Sequence, residues 1–491
     1  MKTLIIILFM TFITNSNSYE LVIKKSESPI ISFRIQFKIG SINDWKKQEG
    51  INALTASLIA QGGTKFLTYN EVVEKLYPWA GEIYFIADKE LTTFIGSVHK
   101  DNLEGFYKIF SDLILNPRFD EEDFARVKDE NLNFFENNLR SINDEDLGKQ
   151  VLQTMIYKNH PYEKHHFGTV EGIKSIILDD VKKYYNENYT QENLVIGITG
   201  NISKEIINEI DSDFKKISLG KFQKTLLPKT EEIQDMEITI VEKSARATAI
   251  SIGFPISVTR SDKDFYALMV ANSYFGEHRT FNGVLMNKIR GDRGINYGDY
   301  SYIENFIQDG GTRFFIPNVA RRQQFFSIWI RPTKPEDAHF SLRLAMKELK
   351  SLCESGISKE EFENARDFVI NYSKLWAQTQ SRSLGFELDS KFYKADYFID
   401  KIEEELKQLS VDDVNSAIRK YLQYQNVKVA IICQNANELK EKILTNATSQ
   451  IKYSTTVDES ILREDESIIN YSLNINKNKL NVLQVNQLFK K

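Results

Sequence analysis

The chain repeats its own organisation, and this duplication restricts the fold more than any other feature of the sequence. Leu178-Asp179-Asp180-Val181 is followed by Asn193-Leu194-Val195-Ile196, and Val411-Asp412-Asp413-Val414 by Asn426-Val427-Lys428-Val429; both matches are offset by 233 positions (413 minus 180, 426 minus 193). A second pair, Asp120-Glu121-Glu122-Asp123-Phe124 and Ser358-Lys359-Glu360-Glu361-Phe362, is offset by 238 (362 minus 124). Both members of that pair read as helix starts. Ser358 with Glu361 forms a capping box, and Asp120 with Asp123 a looser version of it. Two matches in the same order point to two homologous domains rather than to chance.

Within each copy, strand and helix signals mix. Residues 32–39 alternate apolar and polar side chains like a half-buried antiparallel strand, and a helix follows from about Gly50. The second copy runs from Ile238-Thr239-Ile240-Val241 through a helix around Phe265. Residues 300–306 and 312–316 flank Asp309-Gly310-Gly311, which reads as a hairpin turn. The expected class is α+β, with two homologous domains of mixed, largely antiparallel sheet and packed helices. Residues 19–220 and 236–448 form these domains, joined by a linker over 221–235 that carries Pro228 and a charge cluster. Residues 449–491 shift toward Asn, Lys, Ser and Ile but keep alternating apolar positions, so they read as an extended tail packed on a domain.

Residues 1–18 are of another kind. Lys2, the apolar run 4–13, and Ser16 and Ser18 at −3 and −1 of a cut before Tyr19 read as a cleavable signal peptide, too short to span a bilayer. Export, most simply to a periplasm and otherwise by secretion, is the expectation, with no membrane span. With 63 Lys+Arg against 68 Asp+Glu and a net charge of −5, the chain has no cationic excess to neutralise a phosphate backbone, which argues against nucleic acid as a partner. Two cysteines, Cys353 and Cys433, exclude a disulfide scaffold. They read as buried thiols, with a bridge left open.

Nucleotide-binding glycine loops, CxxC pairs and a GxSxG elbow are all missing. His160, His165 and His166 cluster with Glu163, but Pro161 and the irregular spacing favour a satisfied loop over a metal site. Arg321-Arg322 reads as a solvated loop, with contact to an acidic ligand as the alternative.

The order of motifs resembles the pitrilysin/insulinase family of zinc metallopeptidases, the inverzincins. The resemblance begins with Gly40-Ser41-Ile42-Asn43-Asp44, residues 50–57 and Gly62-Gly63-Thr64. It continues through Asn116-Pro117-Arg118-Phe119, His160-Pro161-Tyr162 with Gly168-Thr169, and residues 285–297, and ends with Gly356-Ile357-Ser358 and the Asp412-Asp413-Val414 helix. It implies two α+β domains forming one half of a clam-shell chamber, as in subunits of the mitochondrial processing peptidase. An active member carries HxxEH on the helix after Gly50, because residues at i, i+3 and i+4 share a face where two imidazoles bind zinc and a carboxylate activates water. The corresponding positions here are Ala53, Ala56 and Ser57. The family's third ligand falls near Leu132 or Asn133, with Glu130 and Glu136 off register. The resemblance also implies that Arg290 and Tyr297 match the arginine and tyrosine that the C-terminal half contributes, the one toward substrate backbone and the other toward the developing oxyanion. The expectation is a catalytically inactive homologue without metal or cofactor of its own. It would serve as the substrate-binding subunit of a heterodimeric zinc peptidase acting on peptides, with the zinc in an HxxEH-bearing partner. A non-enzymatic peptide-binding or scaffold protein of the same fold is the alternative.

Overall fold

The computed structural model describes residues 19–221, 224–308, 312–453 and 456–490. Residues 1–18, on which the signal-peptide expectation rests, lie outside these, as do residues 309–311 of the expected hairpin turn.

Two sheets organise the chain. The first has the order β1-β5-β2-β4-β3, from β1 (Glu20–Lys25), β2 (Ile30–Phe37), β3 (Glu82–Ala87), β4 (Thr92–His99) and β5 (Leu194–Gly200). The second contains β6 (Glu237–Glu242), β7 (Thr248–Ile256), β8 (Asp299–Tyr302), β9 (Gln324–Thr333), β10 (Lys428–Cys433) and β11 (Leu480–Gln484), in the order β11-β6-β10-β7-β9-β8. Replacing β1 to β5 by β6 to β10 converts one order into the other, so the duplication read from short motifs is a duplication of topology. In each sheet only the β1–β5 type of pair is parallel, together with the added β11 beside β6. The remaining neighbours are antiparallel.

The helix starts form as their caps dictate. Ser358 Oγ accepts the Glu361 N–H at 3.3 Å while the Ser358 N–H donates to Glu361 Oε2 at 2.7 Å, and Asp120 accepts the Glu122 N–H at 3.0 Å. Cys353 is half-buried, Cys433 lies buried in β10, and both are free thiols.

Four helices pack on the faces of the sheets: α1 (Ile51–Gln61), α2 (Asp144–Ile156), α3 (Lys263–Gly276) and α4 (Gln380–Tyr393). The first and third are corresponding elements, each covering one face of its own sheet. The other two are exchanged. Helix α2 precedes the second sheet in sequence yet packs on β7 and β10, and α4 packs on β5 and β2 of the first sheet. Close approach needs residues without side chains: a Cβ on Gly197 of β5 would meet Leu388 at 2.9 Å and Leu384 at 3.1 Å. The exchange follows from composition, because every residue of β5 is buried and such a strand needs cover on both faces.

Two expectations fail here. The strand over 300–306 ends at Tyr302 and pairs with β9, while residues 312–316 form no strand. Strand β2 is not half-exposed either, since its polar residues Ser32, Arg34 and Gln36 are 2%, 3% and 1% exposed. Their face is covered by α4, and Arg34 borders a cavity between the halves.

The last segment returns to both halves. A helix, α5 (Glu459–Ile469), leads to β11, which extends the second sheet, and the chain then reaches the first half, where the Val170 and Glu171 N–H groups donate to Phe489 and Lys490 carbonyls at 2.9 and 3.0 Å.

Candidate binding cavity and the altered metal helix

Helix α1 is where a metal site of this design would stand. Gly50 starts it at φ +110°, a conformation other residues resist, and Asp44 caps it by accepting the Gly50 and Asn52 N–H groups at 2.7 and 2.9 Å. Burial pushes the Asp44 carboxyl up to about 7, with those two hydrogen bonds opposing the shift. Residues 51–60 are all buried, so the helix is enclosed on every side rather than presenting one face to a cleft. Ala53 and Ala56 are fully buried methyl groups and Ser57 a hydroxyl. Two positions without a lone pair and one weak donor do not fit zinc. The off-register acids do not replace them. Glu130 is exposed and accepts Arg126 at 3.0 Å, and Glu136 is exposed on the following π-helical segment, with Leu132 and Asn133 just before it. Among the described residues, no group of three or more His, Cys, Asp or Glu side chains converges to hold a metal ion.

The histidine cluster is a satisfied loop. His160 Nδ1 accepts the Tyr162 N–H at 3.0 Å and Nε2 meets the Pro228 carbonyl at 3.1 Å. Glu163 turns back to accept the Asn159 N–H at 3.1 Å. His165 stacks on His166 with ring centroids 4.2 Å apart and packs against Phe134 and Phe135. Burial holds His165 well below the usual imidazole range and lowers His166 to about 3, so both rings are neutral at pH 7.

Arg321 and Arg322 overturn their expectation. Arg321 is buried and Arg322 half-buried, and both pair with carboxylates of the other half as the polar fastening between the halves. Arg321 grips Asp88 with two hydrogen bonds of 2.7 Å and donates to Gln153 at 3.0 Å. Arg322 pairs with Glu90, which also receives the Tyr162 hydroxyl, and its backbone N–H donates to Glu90 at 2.7 Å. Burial pushes the Asp88 carboxyl up, but the Arg321 guanidinium outweighs it and holds the group below the ordinary range. Asp88 and Glu90 sit in the tight β3–β4 turn and the two arginines in the corresponding β8–β9 connection. The 233 positions separating Asp88 from Arg321 are the offset of the internal repeat. The two turns meet because they are duplicates related across the junction.

Beside this fastening a cavity of about 750 Å³ separates the halves. Tyr84 and Ile86 of β3 form one side, Phe134 and Phe167 the floor toward the histidine loop, and Phe306 and Trp329 the far wall. Strand β3 is hydrogen-bonded only to β4, so its outer edge is unpaired where it borders the cavity. Such a boundary, with aromatic side chains among polar and charged ones and an open strand edge, is suited to an extended peptide.

The structure does not bring Arg290 or Tyr297 to this cavity. Arg290, half-buried in the π-helical turn Met286–Gly291, lies over the Phe281 ring at 5.2 Å. Tyr297, in the turn before β8, is 80% exposed. The cavity's polar residues Arg34 and Arg382 escaped sequence reasoning; Arg34 was hidden by the ordinary alternation of β2.

Comparison with known proteins agrees with this picture. The sequence profile described as insulinase (peptidase family M16) matches residues 20–170, and that described as the peptidase M16 inactive domain matches residues 175–369. An uncharacterized zinc protease, YmxG, of Bacillus subtilis is 22% identical over 81% of this chain and 91% of its own length. A non-peptidase homolog YmxG of Helicobacter pylori is 22% identical over 67% of this chain and 72% of its own. Over 43% of this chain, the mitochondrial-processing peptidase subunit beta of Dictyostelium discoideum is also 22% identical, covering 45% of that protein. Among solved structures, a peptidase M16 inactive domain from Pseudomonas fluorescens superposes with a TM-score of 0.74 at 20% identity, covering 85% of this chain and 96% of that one.

Proposed function

Because the chain belongs to the M16 insulinase-type peptidase family as an inactive member, we propose that it is the peptide-holding, non-catalytic subunit of a two-chain zinc peptidase. The observation that carries this reading is the pairing of a lost metal helix with a preserved chamber wall. Ala53, Ala56 and Ser57 have become packing residues, yet the cavity along the open β3 edge remains. A protein kept only as a scaffold has no need of that opening. An extended peptide entering the cavity adds a strand beside β3, its backbone taking up the unpaired N–H and C=O groups and its alternate side chains reaching Tyr84 and Ile86.

The partner supplies HxxEH, zinc and the activated water, and this chain supplies wall and orientation. It is half of a clam-shell closing over that partner, exported by residues 1–18 and working in the periplasm. Arg290 and Tyr297 act in trans. A phenol O–H and a guanidinium are donors suited to developing negative charge, and the exposure of Tyr297 leaves its hydroxyl available to a facing subunit.

The test is co-purification from the native host, followed by peptidase assays on the separated and recombined chains. An HxxEH-bearing family member should co-elute, activity should require both chains, and elemental analysis should find zinc with the partner alone. A stable homodimer with no such companion refutes the proposal.

A further inference from the structure

The wall of the cavity carries two cations that the fold leaves without a carboxylate. Across the first sheet Tyr84, Ile95, Arg34 and Gly197 form one lateral row through β3, β4, β2 and β5, so all four face the same side. Helix α4 covers the Gly197 end of this row and leaves the Tyr84 end open to the cavity. The first turn of that helix adds Arg382 beside Arg34, and both line the cavity.

The partners of the two guanidiniums are all neutral. Arg34, 3% exposed, donates to the Ser381 carbonyl at 3.0 Å, the Ser381 hydroxyl at 3.3 Å and Asn318 Oδ1 at 2.5 Å. Arg382 donates to the Trp376 and Phe315 carbonyls, both at 2.6 Å. The other cations of the lining are neutralised: Lys149 by Glu145 at 3.0 Å and Arg321 by Asp88. Among the described residues neither Arg34 nor Arg382 forms an ion pair. Asp389, the carboxylate whose charge reaches Arg34, is already held by the Asn318 N–H at 2.9 Å and by Arg260 at 3.5 Å. Burial pushes Arg34 down to about 10, with Tyr84 and Asp389 opposing and Arg382 adding to the shift, so the group stays protonated at neutral pH.

We propose that Arg34 and Arg382 form a carboxylate-binding site in the cavity wall, so that the peptides this chain selects carry a carboxylate at that point. The proposal rests on the peptide-holding reading and adds its specificity. A guanidinium has five N–H groups, of which Arg34 uses three and Arg382 two in contacts within the chain. The remainder suit the two oxygens of an ionised carboxylate, and burying an uncompensated charge pair is tolerable in a protein whose ligand brings the counter-charge. The carboxylate is either an acidic side chain or the peptide's C-terminus, which share this chemistry.

Four versions of one short fluorescein-labelled peptide, with Glu or Gln at a central position and a free acid or amide at the end, separate these sources by anisotropy titration against the full chain. The doubly neutral peptide should bind about 10- to 100-fold more weakly than the best acidic one, the effect of losing one or two charge-assisted hydrogen bonds. Arg382→Gln should collapse that difference and Arg382→Lys restore part of it, with thermal melts reporting whether each variant folds. Should the unmodified chain bind all four peptides equally, the carboxylate site is refuted while peptide holding stands. An acidic preference that survives Arg382→Gln in a folded variant places it elsewhere and equally refutes the site. Binding of none of the four refutes the peptide-holding reading itself.

Discussion

Removing the Asp88 carboxylate tests whether the two halves are fastened at the Asp88–Arg321 pair. Asp88 and Arg321 are 1% and 2% exposed and share two hydrogen bonds of 2.7 Å. In Asp88→Ala the guanidinium keeps its hydrogen bond to Gln153 and its place over the Tyr162 ring but has no carboxylate, and stays buried. Breaking such a pair from one side costs about 3–5 kcal/mol, whereas an exposed ion pair is worth only about 0–1 kcal/mol. Replacing both partners, as in Asp88→Leu with Arg321→Met, should recover most of the loss, because no buried charge is stranded. The dependence on pH has a definite sign. The Asp88 carboxyl is held below its ordinary value in the folded protein, so its contribution is present above the unfolded pKa of about 4 and fades as the pH falls through the lower, folded one. Wild type and Asp88→Ala should therefore differ fully at pH 7 and converge in strong acid. Equilibrium urea unfolding followed by circular dichroism, and by the fluorescence of Trp45 and Trp79 in the first half and Trp329 and Trp376 in the second, measures both the loss and whether the halves come apart separately. A loss under about 1 kcal/mol at pH 7 with an unchanged slope would refute the argument.

Other outcomes rest on single contacts. Gly385→Ala puts a Cβ 2.6 Å from Pro317 Cγ and 3.0 Å from the Arg34 guanidinium carbon, and should destabilise the α4 junction by about 1–3 kcal/mol in the same unfolding assay. Glu277 is raised to about 7 by burial, so its protonated form stabilises the fold at low pH and that contribution is lost as the pH rises from the unfolded value through 7; Glu277→Gln should be within about 1 kcal/mol of wild type at pH 5 and more stable than it, by about 2–3 kcal/mol, at pH 8. In a reconstituted two-chain enzyme, Tyr297→Phe should lower kcat by about 10²–10³ without impairing assembly, and Arg290→Ala should chiefly raise KM. Unchanged kinetics in both assembled variants would remove these residues from the site.

The duplication, the α+β class and the loss of HxxEH were legible in the sequence, because each depends on residues close together in the chain. The Ser358–Glu361 capping box, the Asp120 helix start and the buried strand around Cys433 belong with them. The polar face of β2 was not, since alternation alone reads Arg34 as solvent-facing and says nothing about a helix arriving from more than three hundred residues away. Arg321 and Arg322 failed for the same reason: an Arg pair in a loop looks solvated until its carboxylates come from another domain. The repeat offset held an unused clue, because Asp88 and Arg321 are separated by the same 233 positions as the repeated motifs and their two turns meet. The expected strand over 312–316 rested on Gly310-Gly311 as a turn signal, and such a signal does not by itself show that a paired strand follows it.

The exchange of α2 and α4 also has a price in time. Strand β5 ends at Gly200, but the helix that roofs it is complete only at Tyr393. A ribosome adding about 5–20 residues per second needs roughly 10–40 s to cover that interval. Throughout it the face that α4 will cover, where Val22 and Val195 lie beside Ser32, Arg34 and Gln36, stands open, so the first half completes its packing only once the second has emerged.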